Sequence, residues 1–242
     1  MKKVLLAAGL ASFLFASDAS DKAIDFIKNL VPKGYEVELV KTEKIPNSNY
    51  EFIEFNIIEN GVVKGSDVFF TDGNYGSPTL FDLKNKTDLK ADFMAKKEAE
   101  KQNQIIAKLP DFIAKHKDMT VRLGNSGKDV VTVVFSDPEC PWCKKQIGGV
   151  EEKIKEGDIL LVLTPLPMHP NALGKSVNIL KETKNAKTDA EKIKILQKYF
   201  ADNVDYKEPS DAEKDALAKK VEEVFELGVS YTPAVFKDIK LK

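Results

Sequence analysis

The stretch that decides the fold runs from Val130 to Cys143 and reads Val-Val-Thr-Val-Val-Phe-Ser-Asp-Pro-Glu-Cys-Pro-Trp-Cys. It opens with a nearly continuous apolar run, which is the pattern of a strand buried on both faces. Residues 140–155 then follow a helical pattern, and a second continuous apolar run extends from Ile159 to Leu163. A strand, a helix and a strand at this spacing predict a right-handed parallel crossover.

Cys140 and Cys143 are the only two cysteines of the chain. A disulfide between them closes a very short loop, and a short loop gives little stabilisation, so the pair predicts chemistry rather than a structural crosslink. Cys140 falls at the exposed first turn of the predicted helix, where unpaired backbone N–H groups and the helix dipole favour a thiolate. Cys143 lies one turn further on, where it is ready to resolve a mixed disulfide.

The residues around the pair have expected roles of their own. Pro141 fits the first helical turn and stiffens the active-site loop. Trp142 is expected to be exposed and to touch a substrate chain, with ordinary packing as the alternative. Asp137 and Glu139 carry negative charge beside the pair and oppose the effect of the helix on the thiol.

Three other interpretations of the cysteine pair are a haem attachment site, half of a zinc site and an inert buried pair, and the sequence favours each of them less. A c-type haem attachment requires histidine directly after the second cysteine, and Lys144 stands there instead. Half of a zinc site would need two more ligands, yet the two histidines, His116 and His169, belong to no partnering motif. An inert buried pair is the third alternative. No metal or cofactor is expected, and His169 is expected to be a solvated loop residue, with a place lining the cleft as the alternative.

The beginning of the chain predicts export. Two lysines precede an apolar run from Val4 to Phe15 that is too short to span a bilayer, and small residues follow it. Residues 1–19 are therefore interpreted as a signal peptide cleaved after Ala16 or Ala19, with an uncleaved anchor as the alternative. In a cell with two membranes the destination is the periplasm. The net charge of −1 indicates no nucleic-acid partner.

The pattern of the remaining chain predicts two domains and a linker. Residues 20–87 predict a small α+β domain, with a helix from Asp21 to Val31 and a hairpin turn at Asn60-Gly61. Residues 88–118 predict a helical linker.

Proline is expected to divide that linker. One helix is predicted over residues 88–108, and Pro110 is expected to open a second, shorter helix because proline disrupts a helix interior. Residues 119–242 predict the α/β domain that contains the cysteine pair.

Residues 119–155 and 228–236 resemble the thioredoxin-fold domain of the periplasmic disulfide isomerases DsbC and DsbG. The resemblance rests on the stretch from Val130 to Lys144 and on Gly-Val-Ser-Tyr-Thr-Pro-Ala at residues 228–234. It implies a thioredoxin-like catalytic domain, a helical linker and a small cystatin-like α+β domain that dimerises the chain. The sequence differs from the family at two points. Only nine residues follow Pro233, whereas the family's fold normally continues through another strand and a terminal helix. The catalytic domain also has no further structural disulfide.

The resemblance also implies site roles. Cys140 would be the attacking cysteine, Cys143 the resolving one, and the two would form the redox-active disulfide. Pro233 would be cis and lie opposite the pair, with Thr232 beside Cys140, and both would bind substrate. An ordinary trans proline is the alternative.

Three functions are compatible with the sequence. The leading one is a dimeric disulfide isomerase or oxidase that acts on unfolded or misfolded exported proteins and is reset by a membrane redox partner. The second is a dedicated thiol reductase for apocytochromes or single oxidised cysteines. The third is a chaperone-like binding protein in which the thiols are secondary.

Overall fold

The computed structural model describes residues 17–127 and 129–241. Most of the predicted signal peptide, residues 1–16, lies outside the described residues. The chain divides into two compact units between Ala99 and Glu100. No helix in the described ranges combines the length and the apolar character that crossing a membrane requires.

The first unit consists of a helix and an antiparallel sheet. The elements are α1 (Asp18–Lys28), β1 (Tyr35–Lys44), β2 (Glu51–Glu59), β3 (Val62–Thr71), β4 (Gly76–Ser77), β5 (Phe81–Asp82) and β6 (Thr87–Asp88). The four-stranded sheet has the order β1-β2-β3-β4, and a separate two-stranded ribbon, β5-β6, follows it. The hairpin predicted at Asn60-Gly61 is confirmed: both residues have positive φ, 52° and 75°, and Glu59 pairs with Val62.

Helix α1 begins three residues earlier than predicted because Ser17 caps it. The Ser17 hydroxyl accepts a hydrogen bond from the Ser20 backbone N–H at 3.0 Å, and the Ser17 backbone N–H donates to the Ser20 hydroxyl at 2.8 Å. This reciprocal pairing satisfies N–H groups that a helix start otherwise leaves open. The apolar face of α1, including Ile24 and Ile27, packs on the sheet.

Helix α2 (Leu89–Lys115) is continuous through Pro110, so the prediction of two helices divided at this proline is wrong. A proline inside a helix costs about 3 kcal/mol because it removes a hydrogen bond and crowds the preceding turn. Ile105, Leu109 and Ile113, spaced four residues apart, are all buried in the core of the second unit. Burial of this stripe offsets the cost of the proline, so the helix continues through it.

The second unit is a four-stranded sheet with helices. After a 3₁₀ turn (Lys117–Met119) come β7 (Thr120–Leu123), β8 (Val130–Ser136), α3 (Pro141–Gly148), α4 (Val150–Lys153), β9 (Ile159–Leu163), α5 (Ala172–Thr183), α6 (Asp189–Phe200), α7 (Asp211–Leu227) and β10 (Ala234–Lys240). The strand order is β10-β8-β9-β7, in which β8 and β9 are parallel and the other pairs antiparallel. The predicted parallel crossover from β8 to β9 is confirmed.

The connection within that crossover differs from the single helix predicted over residues 140–155. Helix α3 ends at Gly148, and Gly149 has φ −110° and ψ 13°, outside the helical region. Two adjacent glycines lower helix stability by about 1 kcal/mol each relative to alanine, which explains the interruption at this point. Ile147 and Val150, on either side of the break, remain buried in one core.

Both faces of the second sheet are buried, as the continuous apolar runs predicted. Val133 and Phe135 of β8 belong to one core, and Val134 belongs to the other, together with Cys143 and Ile147 of α3. The active-site helix is thus anchored against the strand that leads into it.

Candidate active site

Cys140 is the residue that caps α3. Its backbone is extended, with φ −68° and ψ 122°, and its carbonyl accepts the Lys144 N–H at 3.0 Å. The expectation of an exposed position is wrong: only 6% of Cys140 is exposed. Cys140 packs in the same core as Cys143, and its thiol donates a hydrogen bond to the Thr232 carbonyl at 3.3 Å.

Cys143 lies one turn into α3 and is completely buried. Burial raises the pKa of its thiol from the ordinary 9.0 to about 11, and the neighbouring Cys140 acts in the same direction. The Asp137 backbone N–H donates to the Cys143 sulfur at 3.5 Å and opposes this shift only in part. Both cysteines are free thiols.

The Thr232–Pro233 peptide bond is cis, as the resemblance implies. Two features bring this loop to Cys140. Gly228 ends α7 in the left-handed region, at φ 104°, where glycine has no steric penalty. Ala234 then pairs with Phe135 near the end of β8, the strand that leads into the cysteine segment.

Three large apolar side chains are exposed on α3, on the Thr232 loop and on the segment that contacts Asp137. Trp142 is 67% exposed, with the Lys145 ammonium 5.7 Å from its ring centroid. Tyr231 precedes Thr232 and is also exposed, as is Met168. Pro141 occupies the first position of α3, as predicted.

Asp137 is fully buried and accepts hydrogen bonds on both carboxyl oxygens. The Glu139 N–H donates to Oδ1, and the Leu166 N–H donates to Oδ2, each at 2.7 Å. His169 Nδ1 also lies 2.7 Å from Oδ2. The expectation of a solvated His169 is therefore wrong, because the buried carboxyl group binds its ring.

The Glu139 carboxylate has its partners at the start of α5. Its carboxylate accepts the backbone N–H of Asn171 at 2.9 Å and the Asn171 side-chain amide at 3.2 Å, and it pairs with Lys175 at 3.4 Å. Burial opposes ionisation, but the Asn171 hydrogen bonds and the Lys175 charge outweigh it and lower the pKa of Glu139. The two acidic residues thus have polar partners of their own.

Sequence reasoning missed Asn171 and Lys175. Lys175 is 3% exposed at its side chain and also donates to the Ala201 carbonyl at 3.2 Å. A lysine in a helical pattern is ordinarily assigned to the solvated face, so the sequence carried no signal for its burial. Within residues 17–127 and 129–241, no group of three or more His, Cys, Asp or Glu side chains is arranged to hold a metal ion.

Comparison with known proteins gives a likeness in structure rather than in sequence. No protein-family model matches the chain, and no curated protein matches it. Helicobacter pylori DsbG is similar in structure, with a TM-score of 0.50 at 20% identity over 90% of this chain and 99% of that one. Proteus mirabilis ScsC covers 61% of this chain and 77% of its own, with a TM-score of 0.39 and 16% identity.

A third structure, Pseudomonas aeruginosa DsbA2, covers 47% of this chain and 76% of its own, with a TM-score of 0.36 and 16% identity. The match to H. pylori DsbG extends over nearly the whole of that protein. The predicted fold class is thereby confirmed: a thioredoxin-like domain with a small N-terminal α+β domain and a helical linker.

Proposed function

We propose that this chain is a thiol–disulfide oxidoreductase of the DsbC/DsbG type, exported to the periplasm, that forms or isomerises disulfides in unfolded or misfolded exported proteins. One observation carries the proposal. The Cys140 thiol lies at the start of α3 against the Thr232 carbonyl, and Cys143 lies buried one turn behind it.

The geometry supports a division of labour between the thiols. The Cys140 thiolate attacks one sulfur of a client disulfide, so that a Cys140–client disulfide forms and one client thiolate leaves. Cys143 then loses its proton and attacks the Cys140 sulfur, which releases the second client thiolate and leaves the Cys140–Cys143 disulfide. The client gains two electrons and the pair loses two.

The same intermediate serves isomerisation and oxidation. In isomerisation a client thiolate attacks the mixed disulfide instead, which regenerates Cys140 and leaves the number of disulfides unchanged. In oxidation the steps run in reverse, from the Cys140–Cys143 disulfide to a client disulfide. A membrane redox partner would then return the pair to its working state.

Client chains would bind across the loops around Cys140. Trp142 and Tyr231 offer exposed aromatic surface on two of these loops, and Met168 offers a flexible apolar side chain on a third. Such side chains tolerate many partner sequences because apolar contact is not directional. This suits a protein that acts on unfolded chains.

An exchange assay tests the proposal. Reduced protein is expected to accelerate recovery of activity from scrambled ribonuclease, and a Cys140→Ser/Cys143→Ser double variant is expected to give the uncatalysed rate. Reduction of insulin without any recovery of scrambled ribonuclease would point to a dedicated reductase instead. Equal recovery by the double variant would contradict thiol chemistry altogether.

The first unit is proposed to form a homodimer. Among the described residues, β1 is an edge strand of ten residues that pairs only with β2. A free antiparallel edge of this length readily pairs with a second copy. A two-fold dimer would present two Cys140 thiols to one client, which favours repeated exchange.

Sedimentation of the exported protein at micromolar concentration is expected to give the mass of a dimer. Deletion of residues 20–87 is expected to give a monomer that still reduces insulin but no longer isomerises scrambled ribonuclease, because the client is then held at one site only. A monomeric full-length protein, or a deletion variant with undiminished isomerisation, would contradict the dimer.

A further inference from the structure

We propose that His169 is a positioning residue for the cysteine pair, which it holds in its reactive geometry through Asp137. The inference rests on the proposed thiol–disulfide exchange and adds to it a residue far from the motif in sequence. His169 is 32 residues from Asp137, yet the two side chains are 2.7 Å apart.

Asp137 contacts the cysteine segment through its backbone and through its carboxyl group. Its backbone N–H donates to the Cys143 sulfur at 3.5 Å, and its carboxyl group receives the Glu139 N–H at 2.7 Å. Glu139 directly precedes Cys140, and the Cys140 N–H donates to the Asp137 carbonyl at 3.2 Å. The position of Asp137 therefore sets the turn from β8 to α3 and the surroundings of both sulfurs.

The other side of the Asp137 carboxyl group is held by the segment before α5. Leu166 and His169 both contact Oδ2. The His169 backbone is itself fixed, because its N–H donates to the Leu166 carbonyl at 3.0 Å and its carbonyl accepts the Ala172 N–H at 3.2 Å. The imidazole thus belongs to a turn that is anchored to the first residue of α5.

A second set of side-chain contacts joins the same two segments. Glu139 binds Asn171 and Lys175, which lie just beyond His169 in the chain. The charged or titratable groups that these contacts bring around the turn are Asp137, Glu139, His169, Lys175 and the two thiols. The Asp137 carboxyl group accepts from two backbone N–H groups and contacts the His169 side chain, so a substitution at His169 removes one partner without altering either backbone donor.

Loss of His169 has a defined consequence for the thiols. A buried carboxyl group that loses a hydrogen-bond partner is costly, so the turn must shift to rehydrate it. Such a shift weakens the Asp137 N–H contact with Cys143 and the Cys140 contact with the Thr232 carbonyl. Both contacts involve the sulfurs of the dithiol form, so the dithiol loses stability relative to the disulfide.

The test compares the equilibrium of the Cys140–Cys143 pair with glutathione among variants. His169→Ala is expected to shift the equilibrium constant about tenfold towards the disulfide, the effect of about one lost hydrogen bond to a charged or buried group. His169→Asn is expected to stay within about twofold of the original protein, because its amide nitrogen can take the place of Nδ1. His116→Asn, at the other histidine of the chain, is the matched control and is expected to leave the constant unchanged.

His169→Gln keeps the proposal testable if the alanine variant does not fold. Its amide reaches towards the position of Nε2 rather than Nδ1, so a shift of about tenfold is expected from Gln and not from Asn. An unchanged constant in the Ala or Gln variant would overturn the proposal, as would equal shifts in Asn and Gln. Failure of the original protein to form the disulfide at all would instead refute the proposed function.

Discussion

Cys140→Ser is expected to abolish thiol–disulfide exchange, whereas Cys143→Ser is expected to accumulate covalent complexes with client proteins. The physical reason is the position of each thiol. Cys140 caps α3 beside the Thr232 loop and makes the first attack, while buried Cys143 is needed only to release the client. Non-reducing gels and mass spectrometry of each variant, incubated with scrambled ribonuclease, check the result.

The two serine variants are each other's control, because each keeps a single thiol on the same helix. Complexes formed through Cys143 in the Cys140→Ser variant would reverse the assigned roles. Equal trapping by both variants would show that the two thiols are interchangeable, which their different positions on α3 do not allow.

Alkylation of the reduced protein is expected to label Cys140 long before Cys143. A pKa of about 11 for Cys143, against an ordinary 9.0, lowers its thiolate fraction about 100-fold at neutral pH, and Cys143 has no exposed surface whereas Cys140 keeps 6%. Because a raised pKa keeps the proton on at higher pH, the Cys143 rate should climb steadily as pH rises towards 11. Iodoacetamide labelling at several pH values, followed by peptide mapping, measures both rates.

The Cys140→Ser variant isolates Cys143 in the same experiment. Burial is the largest cause of its raised pKa, so slow labelling is expected to persist without Cys140. Faster labelling of Cys143 than of Cys140 in the original protein would contradict the assignment of Cys140 as the attacking thiol. A Cys143 labelling rate that does not depend on pH would contradict its raised pKa.

Local patterns in the sequence were enough to locate the cysteine pair. Two continuous apolar runs predicted β8 and β9, and the proline after Cys140 predicted the first turn of α3. Each prediction depends only on residues that are close in sequence, and the structure has the three features where they were predicted. The parallel crossover followed from these patterns because it is a continuous piece of chain, whereas the thioredoxin-like fold of the whole unit was implied by the resemblance.

The predictions were wrong where the structure depends on contacts between residues that are far apart in sequence. Helix α2 passes through Pro110 because of packing that its own sequence does not show. Asp137 and His169, and likewise Glu139 and Lys175, meet only once the chain is folded. The sequence therefore predicted that the two cysteines are reactive and missed the polar contacts around them.

The central claim is that Cys140 and Cys143 form a reversible redox pair, and a titration in glutathione buffers tests it most directly. The single tryptophan of the chain, Trp142, lies between the two cysteines and provides a fluorescence signal for their redox state. One reversible two-electron transition is expected, with mass spectrometry showing the Cys140–Cys143 disulfide at its oxidised end. A pair that stays reduced in oxidising buffer, or takes up glutathione without closing the disulfide, would contradict the claim.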